Sequence, residues 1–299
     1  MPLDVYQIVT DRIINMLEQG TIPWHRPWTG AGRWAVKRTT GKPYSLLNQL
    51  LLGKPGEYLT FNQCKNEGGK VKKGAKSKVV VFWKMFEKPH LNANGQPMMD
   101  AEGHVICDLI PYLQYYNVFH IDDCEGLEPK SYSNDTREFD PIEAAESVIA
   151  DYVKRSGVGF TNENQGRAYY SPAADQVVLP EKEHFTGEAG YYGTAFHELT
   201  HSTGHATRLN RFSATSGMFG SECYSKEELV AELGSATLLH MLGIETDATV
   251  RNNAAYIQNW IQVLKNDKHM IVSAASKAQK AVELIMPGTA EIVNTEAAA

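Results

Sequence analysis

The nine residues His197-Glu198-Leu199-Thr200-His201-Ser202-Thr203-Gly204-His205 decide how the chain is read. They contain His-Glu-x-x-His, and residues four apart on a helix share a face, so His197 and His201 can aim their imidazoles at one point. Two neutral imidazoles suit Zn2+. Glu198, next in the chain to the first ligand, then sits beside the open coordination position, where a carboxylate can take a proton from water. The pentapeptide alone is short enough to arise by chance, so its helical context and a partner ligand decide its worth. Thr186 is the expected N-cap, Glu188 lies in the first turn and Gly204 ends the helix, although Gly187, Gly190 and Gly193 lower its propensity. A structural zinc needs four protein ligands, a catalytic one three and a water. A third ligand is required.

Downstream, Ser225 to Gly243 reads as an amphipathic helix with Leu229, Leu233, Ala236 and Leu239 or His240 at helical spacing, and with Glu228 and Glu232 on another face. The Glu228-x-x-Ala231-Glu232 run resembles the glutamate helix of thermolysin-like zinc peptidases. That resemblance implies Glu228 as third ligand, with Glu232 holding a ligand histidine or serving as the alternative ligand. Ser225 and Glu228 also spell a capping box, which needs no metal. The long metzincin signature would place a third histidine where Thr207 stands, so that class is excluded. His205 is read as capping the helix end or touching substrate, and His240 as a core histidine.

At 299 residues, 42% hydrophobic and 21% charged, the chain has room for two domains with real cores. No apolar run is long enough to span a bilayer, and the amino terminus lacks the pattern of a signal peptide. Cys64, Cys107, Cys124 and Cys223 are scattered, without a Cys-x-x-Cys pair. A cytoplasmic protein with reduced thiols and no membrane partner is expected. The net charge of -6 hides an asymmetry: residues 21–78 hold about 12 Lys and Arg against about 2 Asp and Glu. That stretch is suited to an anionic partner.

Residues 4–19 read as an amphipathic helix stopped by Gly20. Trp24, Trp28 and Trp34 then interleave with Arg26, Arg33, Lys37, Arg38 and Lys42, ahead of Tyr44. Cations that neutralise phosphates beside rings on which unpaired bases stack are the ingredients of single-strand binding, while core tryptophans beside a solvated lysine face give the same composition. Lys70, Lys72, Lys73, Lys76 and Lys78, feeding a strand that contains Trp83, favour the nucleic-acid reading. Residues 89–111 read as a hairpin excursion through Asn94-Gly95, with Tyr115 to Ile121 returning as a strand. The region from Asp122 to Asp140 holds the linker, placed at 131–140, between domains at 1–130 and 141–299. Asp140 should cap a helix running to about Ser156, with Pro141 first and Glu143 completing a capping box. Tyr169 to Pro180 reads as a strand pair and as the edge strand that could hold an extended substrate.

The Ile22-Pro-Trp-His-Arg-Pro-Trp block, Gly41-Lys-Pro-Tyr-Ser-Leu-Leu-Asn, Phe82-Trp and Tyr116-Asn-Val-Phe resemble the single-stranded-DNA-binding domain of ArdC-type antirestriction proteins, shared with some plasmid primases. Phe196-His-Glu-Leu-Thr-His-Ser-Thr-Gly-His, Arg208-Leu-Asn-Arg and Lys226-Glu-Glu-Leu-Val-Ala-Glu-Leu resemble that family's zincin-like metallopeptidase domain. The resemblance implies an α+β protein of two domains that helps an incoming plasmid survive host restriction during conjugation. Its cofactor would be Zn2+, or another divalent ion such as Mn2+, on His197, His201 and Glu228. Glu198 would be general base, and Tyr191, Tyr192 or Tyr224 an oxyanion donor. A host restriction protein or other DNA-bound protein would be the peptidase target. The alternatives are a DNA-coating protein with a structural or vestigial metal site, and a DNA–protein crosslink protease.

Overall fold

A computed structural model describes residues 4–24, 34–100, 102–130, 140–212, 222–244 and 254–288. Asp4 opens the first helix, α1 (Val5–Glu18), by accepting from the backbone N–H groups of Tyr6 and Gln7. Then follow β1 (Ala35–Lys37), α2 (Leu46–Leu52), β2 (Gly56–Leu59), α3 (Phe61–Asn66), β3 (Lys70–Val71), β4 (Lys78–Pro89), β5 (Cys107–His120) and β6 (Cys124–Glu125). One sheet runs β1-β2-β5-β4, parallel between β1 and β2 and antiparallel elsewhere, and β3 pairs with β6 as a separate ribbon. Every residue of α2 is buried, two amides included. Asn48 exchanges hydrogen bonds with the backbone of Val81, and Gln49 does so with Ala35, so the helix completes the peptide groups of the strands beneath it.

The hairpin extends further than the sequence indicates. β4 and β5 pair without a break from Lys78↔Val118 to Pro89↔Cys107, and the tip folds back twice, at turns in which Asn92 and Asp100 side chains accept backbone N–H groups.

The second half comprises α4 (Pro141–Ser156), β7 (Gly159–Glu163), β8 (Tyr169–Ser171), β9 (Gln176–Pro180), α5 (Glu188–Ser202), α6 (Glu222–Met241), α7 (Ala254–Asn266) and α8 (Met270–Ile285). Asp140 caps α4 as expected, through the N–H groups of Ile142 and Glu143. Two expectations are corrected. Helix α5 starts after Gly187 with no side-chain cap from Thr186. In the sheet order β7-β9-β8, β9 is central, so only the short β8 of the Tyr169–Pro180 pair lies at an edge.

The two halves share a core. Val9, Ile13 and Leu17 of α1 and Leu50 and Leu51 of α2 pack in one buried cluster with Leu229, Val230 and Leu233 of α6, Leu264 of α7 and Ile271 of α8. A second cluster joins Tyr152, Leu179, Phe196 and Leu199 to Leu238 and Leu239 of α6. Helix α6 is therefore apolar around most of its circumference because it is buried on several sides, not an amphipathic surface helix. It meets α5 at close range. A Cβ on Gly234 would lie 2.7 Å from Thr200 Cγ2, and Ser235 Oγ donates to the Gly193 carbonyl at 2.7 Å.

Candidate metal centre

Helical spacing and the α5–α6 crossing build the site. His197 and His201, one turn apart on α5, bring their Nε2 atoms to 3.1 Å. Glu228 reaches across from α6, with one carboxylate oxygen 3.5 Å from His197 Nε2 and the other 3.4 Å from His201 Nε2. These three side chains form the one group of potential metal ligands found among the described residues, with ligand atoms within 4.8 Å of one another. A tetrahedral ion with bonds of about 2.0–2.1 Å has ligand-to-ligand edges of about 3.3 Å. The separation of the two nitrogens is close to such an edge, each carboxylate oxygen of Glu228 lies near that length from one imidazole, and the two-nitrogen, one-carboxylate donor set suits a divalent cation. Ser225 lies inside α6, which leaves the capping-box alternative without a helix end to cap.

The electrostatics agree. Burial alone would lower the His201 pKa, but the carboxylates of Glu227 and Glu228, with the charge of Glu198, push it up to about 10. Burial likewise opposes ionisation of Glu228, yet His197 and His201 hold its carboxyl well below the usual range. Carboxylate charge is thus concentrated on the two imidazoles.

Glu227 is the residue that sequence reading missed. One of its oxygens lies 3.5 Å from His201 Nδ1, the nitrogen facing away from Glu228. Arg211 grips the same carboxylate through two nitrogens, at 2.6 and 3.1 Å, while bonding the Thr200 carbonyl and Thr203 Oγ1 at the end of α5. Gly204 permits that turn, since a Cβ there would meet the Phe212 ring at 2.8 Å. Glu232 is placed otherwise than expected. It lies outside the ligand group, buried beside Tyr256, and the carboxylate next to a ligand histidine's second nitrogen is Glu227. Glu198 is buried on α5.

Tyr191 and Tyr192 point their hydroxyls elsewhere, to Asn162 and to Glu146, which corrects both as oxyanion donors; the Tyr224 side chain lies outside the described residues. His205 Nδ1 bonds Thr207 Oγ1 in the turn after α5, and His240 is buried edge-on against Trp34 at 4.6 Å.

The residues read as nucleic-acid contacts divide. Trp24, 1% exposed, packs edge-on against Trp260 at 5.8 Å, Tyr44 is buried, and buried Arg38 is held between Glu57 and Glu67. These three are corrected: the ring area of the first two fills the core, and the guanidinium already has its anions. Trp34 is half-buried against His240. Lys42, Lys70, Lys72, Lys73 and Lys76 are exposed, Lys72 reaching the Asp122 carbonyl, and Lys78 is half-buried on β4. Lys37 stands over the Tyr44 and Phe82 rings, and Trp83 is exposed on β4, edge-on to Tyr6. Arg26, Trp28 and Arg33 lie outside the described residues. No helix among the described residues is long and apolar enough to cross a membrane.

Residues 3–119 match the N-terminal domain of anti-restriction factor ArdC, and residues 145–277 match the zincin-like metallopeptidase family. A DNA primase TraC of Escherichia coli is 34% identical over 94% of this chain, which spans only 20% of that relative, and a second TraC is 34% identical with 27% of its length spanned. The y4eC protein of Sinorhizobium fredii is 31% identical over 93% of this chain and 90% of its own. The metal-free crystal structure of ArdC from plasmid R388 superposes with a TM-score of 0.71 at 34% identity, covering 96% of this chain and 98% of that one. Its Mn(II)-bound counterpart gives 0.69, covering 98% and 100%. Similarity that spans both halves and nearly the whole length of an ArdC chain shows that this two-domain α+β protein belongs to the ArdC antirestriction family.

Proposed function

We propose that the protein shields incoming DNA from host restriction during conjugation, in the cytoplasm, by binding it as a single strand through its N-terminal half and by cleaving a restriction protein or other DNA-bound protein at the α5–α6 centre. The observation that carries this reading is the cluster of His197, His201 and Glu228, three potential ligands with donor atoms within 4.8 Å of one another, the number that a catalytic zinc site takes from its protein. His197, His201 and Glu228 would hold a divalent ion, Zn2+ or Mn2+, which would supply Lewis acidity toward a water molecule. Glu198, one residue on from His197, would take a proton from water as the water oxygen bonds to the peptide carbonyl carbon, and would return it to the amine nitrogen as the C–N bond breaks. Glu227, braced by Arg211, keeps the His201 ring turned toward Glu228.

Conjugative transfer into restricting and non-restricting recipients, with wild-type protein or Glu198→Ala, tests the proposal. Protection lost in the variant while metal content stays stoichiometric supports peptidase action. Protection retained by Glu198→Ala would leave DNA coating as the activity and the metal site without a catalytic part.

A further inference from the structure

Strand β4 sorts its side chains by type. Positions of even number hold Lys78, Val80, Phe82, Lys84, Phe86 and Lys88, while the odd positions hold Val79, Val81, Trp83, Met85 and Glu87. Successive strand residues face opposite sides, so all three lysines of β4 share one face and the only acid of β4 takes the other, while β5 sets Asp108 opposite Lys88 at the outer end of the lysine face. The register with β5 adds Tyr116 opposite Val80, Tyr112 opposite Lys84 and Ile110 opposite Phe86, and residues directly opposite in an antiparallel pair share a face.

The rings on this face form a series running outward from the core. Tyr58 meets Tyr44 at 6.3 Å, Tyr44 meets Phe82 at 6.4 Å and Phe82 meets Tyr116 at 5.5 Å, after which Tyr112 and Phe86 stand 42% and 56% exposed. Ammonium groups accompany them: Lys37 lies 5.1 Å from the Phe82 centroid and Lys84 5.9 Å from that of Tyr116. The reverse face differs. Trp83 opposite Leu113 and Met85 opposite Pro111 make an apolar surface that runs into the core, with Glu87 opposite Leu109 at its outer end and no lysine on it.

We propose that the lysine-and-aromatic face of the β4–β5 ribbon, centred on Phe82, Lys84, Phe86 and Tyr112, is the platform on which unpaired nucleotides stack. Flat rings take base faces of any sequence, and the interspersed ammonium groups take phosphates. Positions two apart on a strand are about 6.8 Å apart, which gives each ring room for its own base. Duplex DNA, whose base faces are already stacked, has nothing to offer these rings. The assignment rests on the single-strand reading above and moves its centre from the tryptophan block to the ribbon.

Fluorescence anisotropy of full-length protein with a labelled oligo-dT strand tests it, with variants at exposed positions that leave the core untouched. Phe86→Ala and Tyr112→Ala should each weaken binding by about tenfold, at an unchanged salt slope. Tyr112→Phe should bind as wild type, as should Met85→Ala on the reverse face, and Lys84→Ala should reduce the salt slope by about 0.7. Wild-type affinity in the Phe86→Ala, Tyr112→Ala double variant of a protein that binds the strand would overturn the platform while leaving strand binding intact. Failure of the wild type to bind any strand would overturn both.

Discussion

His201 is fixed from two sides. Its Nε2 faces Glu228, and its Nδ1 faces Glu227, which Arg211 holds while bonding the last turn of the same helix. A carboxylate at the far nitrogen sets the tautomer and raises the basicity of a metal-ligating imidazole, and loss of such a partner commonly costs about 10–100-fold in metal affinity. Glu227→Gln should therefore weaken metal binding by about that factor and leave stoichiometry at one ion, as measured by titration calorimetry. Glu228→Ala should abolish stoichiometric binding, and Glu232→Ala, which alters a group beside Tyr256, should not. Metal loss on changing Glu232 but not Glu228 would reverse the ligand assignment.

At the level of elements, the site exists because α5 and α6 approach closely enough for one carboxylate to span two imidazoles. Gly234 sets that approach against Thr200, whose hydroxyl is committed to the Phe196 carbonyl at 2.7 Å. Gly234→Ala forces the helices apart. It should cost about 1–3 kcal/mol in thermal stability, the usual penalty of overpacking, and should also lower metal affinity by withdrawing Glu228. The Thr200→Ala, Gly234→Ala pair removes the obstructing atoms and should recover metal affinity; a Gly234→Ala protein that binds metal normally would show that the crossing does not set ligand distance. The sequence made the α5 histidine pair legible, because a four-residue spacing on a helix suffices to place two rings on one face. It pointed to Glu232, not Glu227, as the carboxylate beside a ligand histidine. That choice depends on which side of α6 meets α5, and a helix buried on several sides carries no periodicity that reveals it. Trp24 and Tyr44 were ambiguous for a similar reason, since buried and stacking aromatics have the same composition.

Over the whole molecule, the division into an N-terminal and a C-terminal half is one of surface, not of core. Helices α1 and α2 pack on α6, α7 and α8, and the Tyr256 hydroxyl lies among Glu232 of α6, Trp260 of α7 and Trp24 from before the first strand. An N-terminal fragment ending at residue 130 would lose every apolar partner that α6, α7 and α8 supply to Val9, Ile13, Leu50 and Leu51. Elements that share one core unfold together, and an ion that binds only the folded form stabilises all of them by mass action, by about 2.7 kcal/mol at a free concentration 100 times its dissociation constant. Full-length protein should accordingly show one thermal transition, coincident in far-ultraviolet circular dichroism and in the fluorescence of its tryptophans, two of which, Trp24 and Trp260, are in contact across the halves. Saturating metal should move the whole transition upward, and the 1–130 fragment should lack a cooperative transition. Two separate transitions, of which metal moves only the one that belongs to α5 and α6, would show that the N-terminal half folds independently and that the shared cluster is a docking interface between two self-sufficient cores.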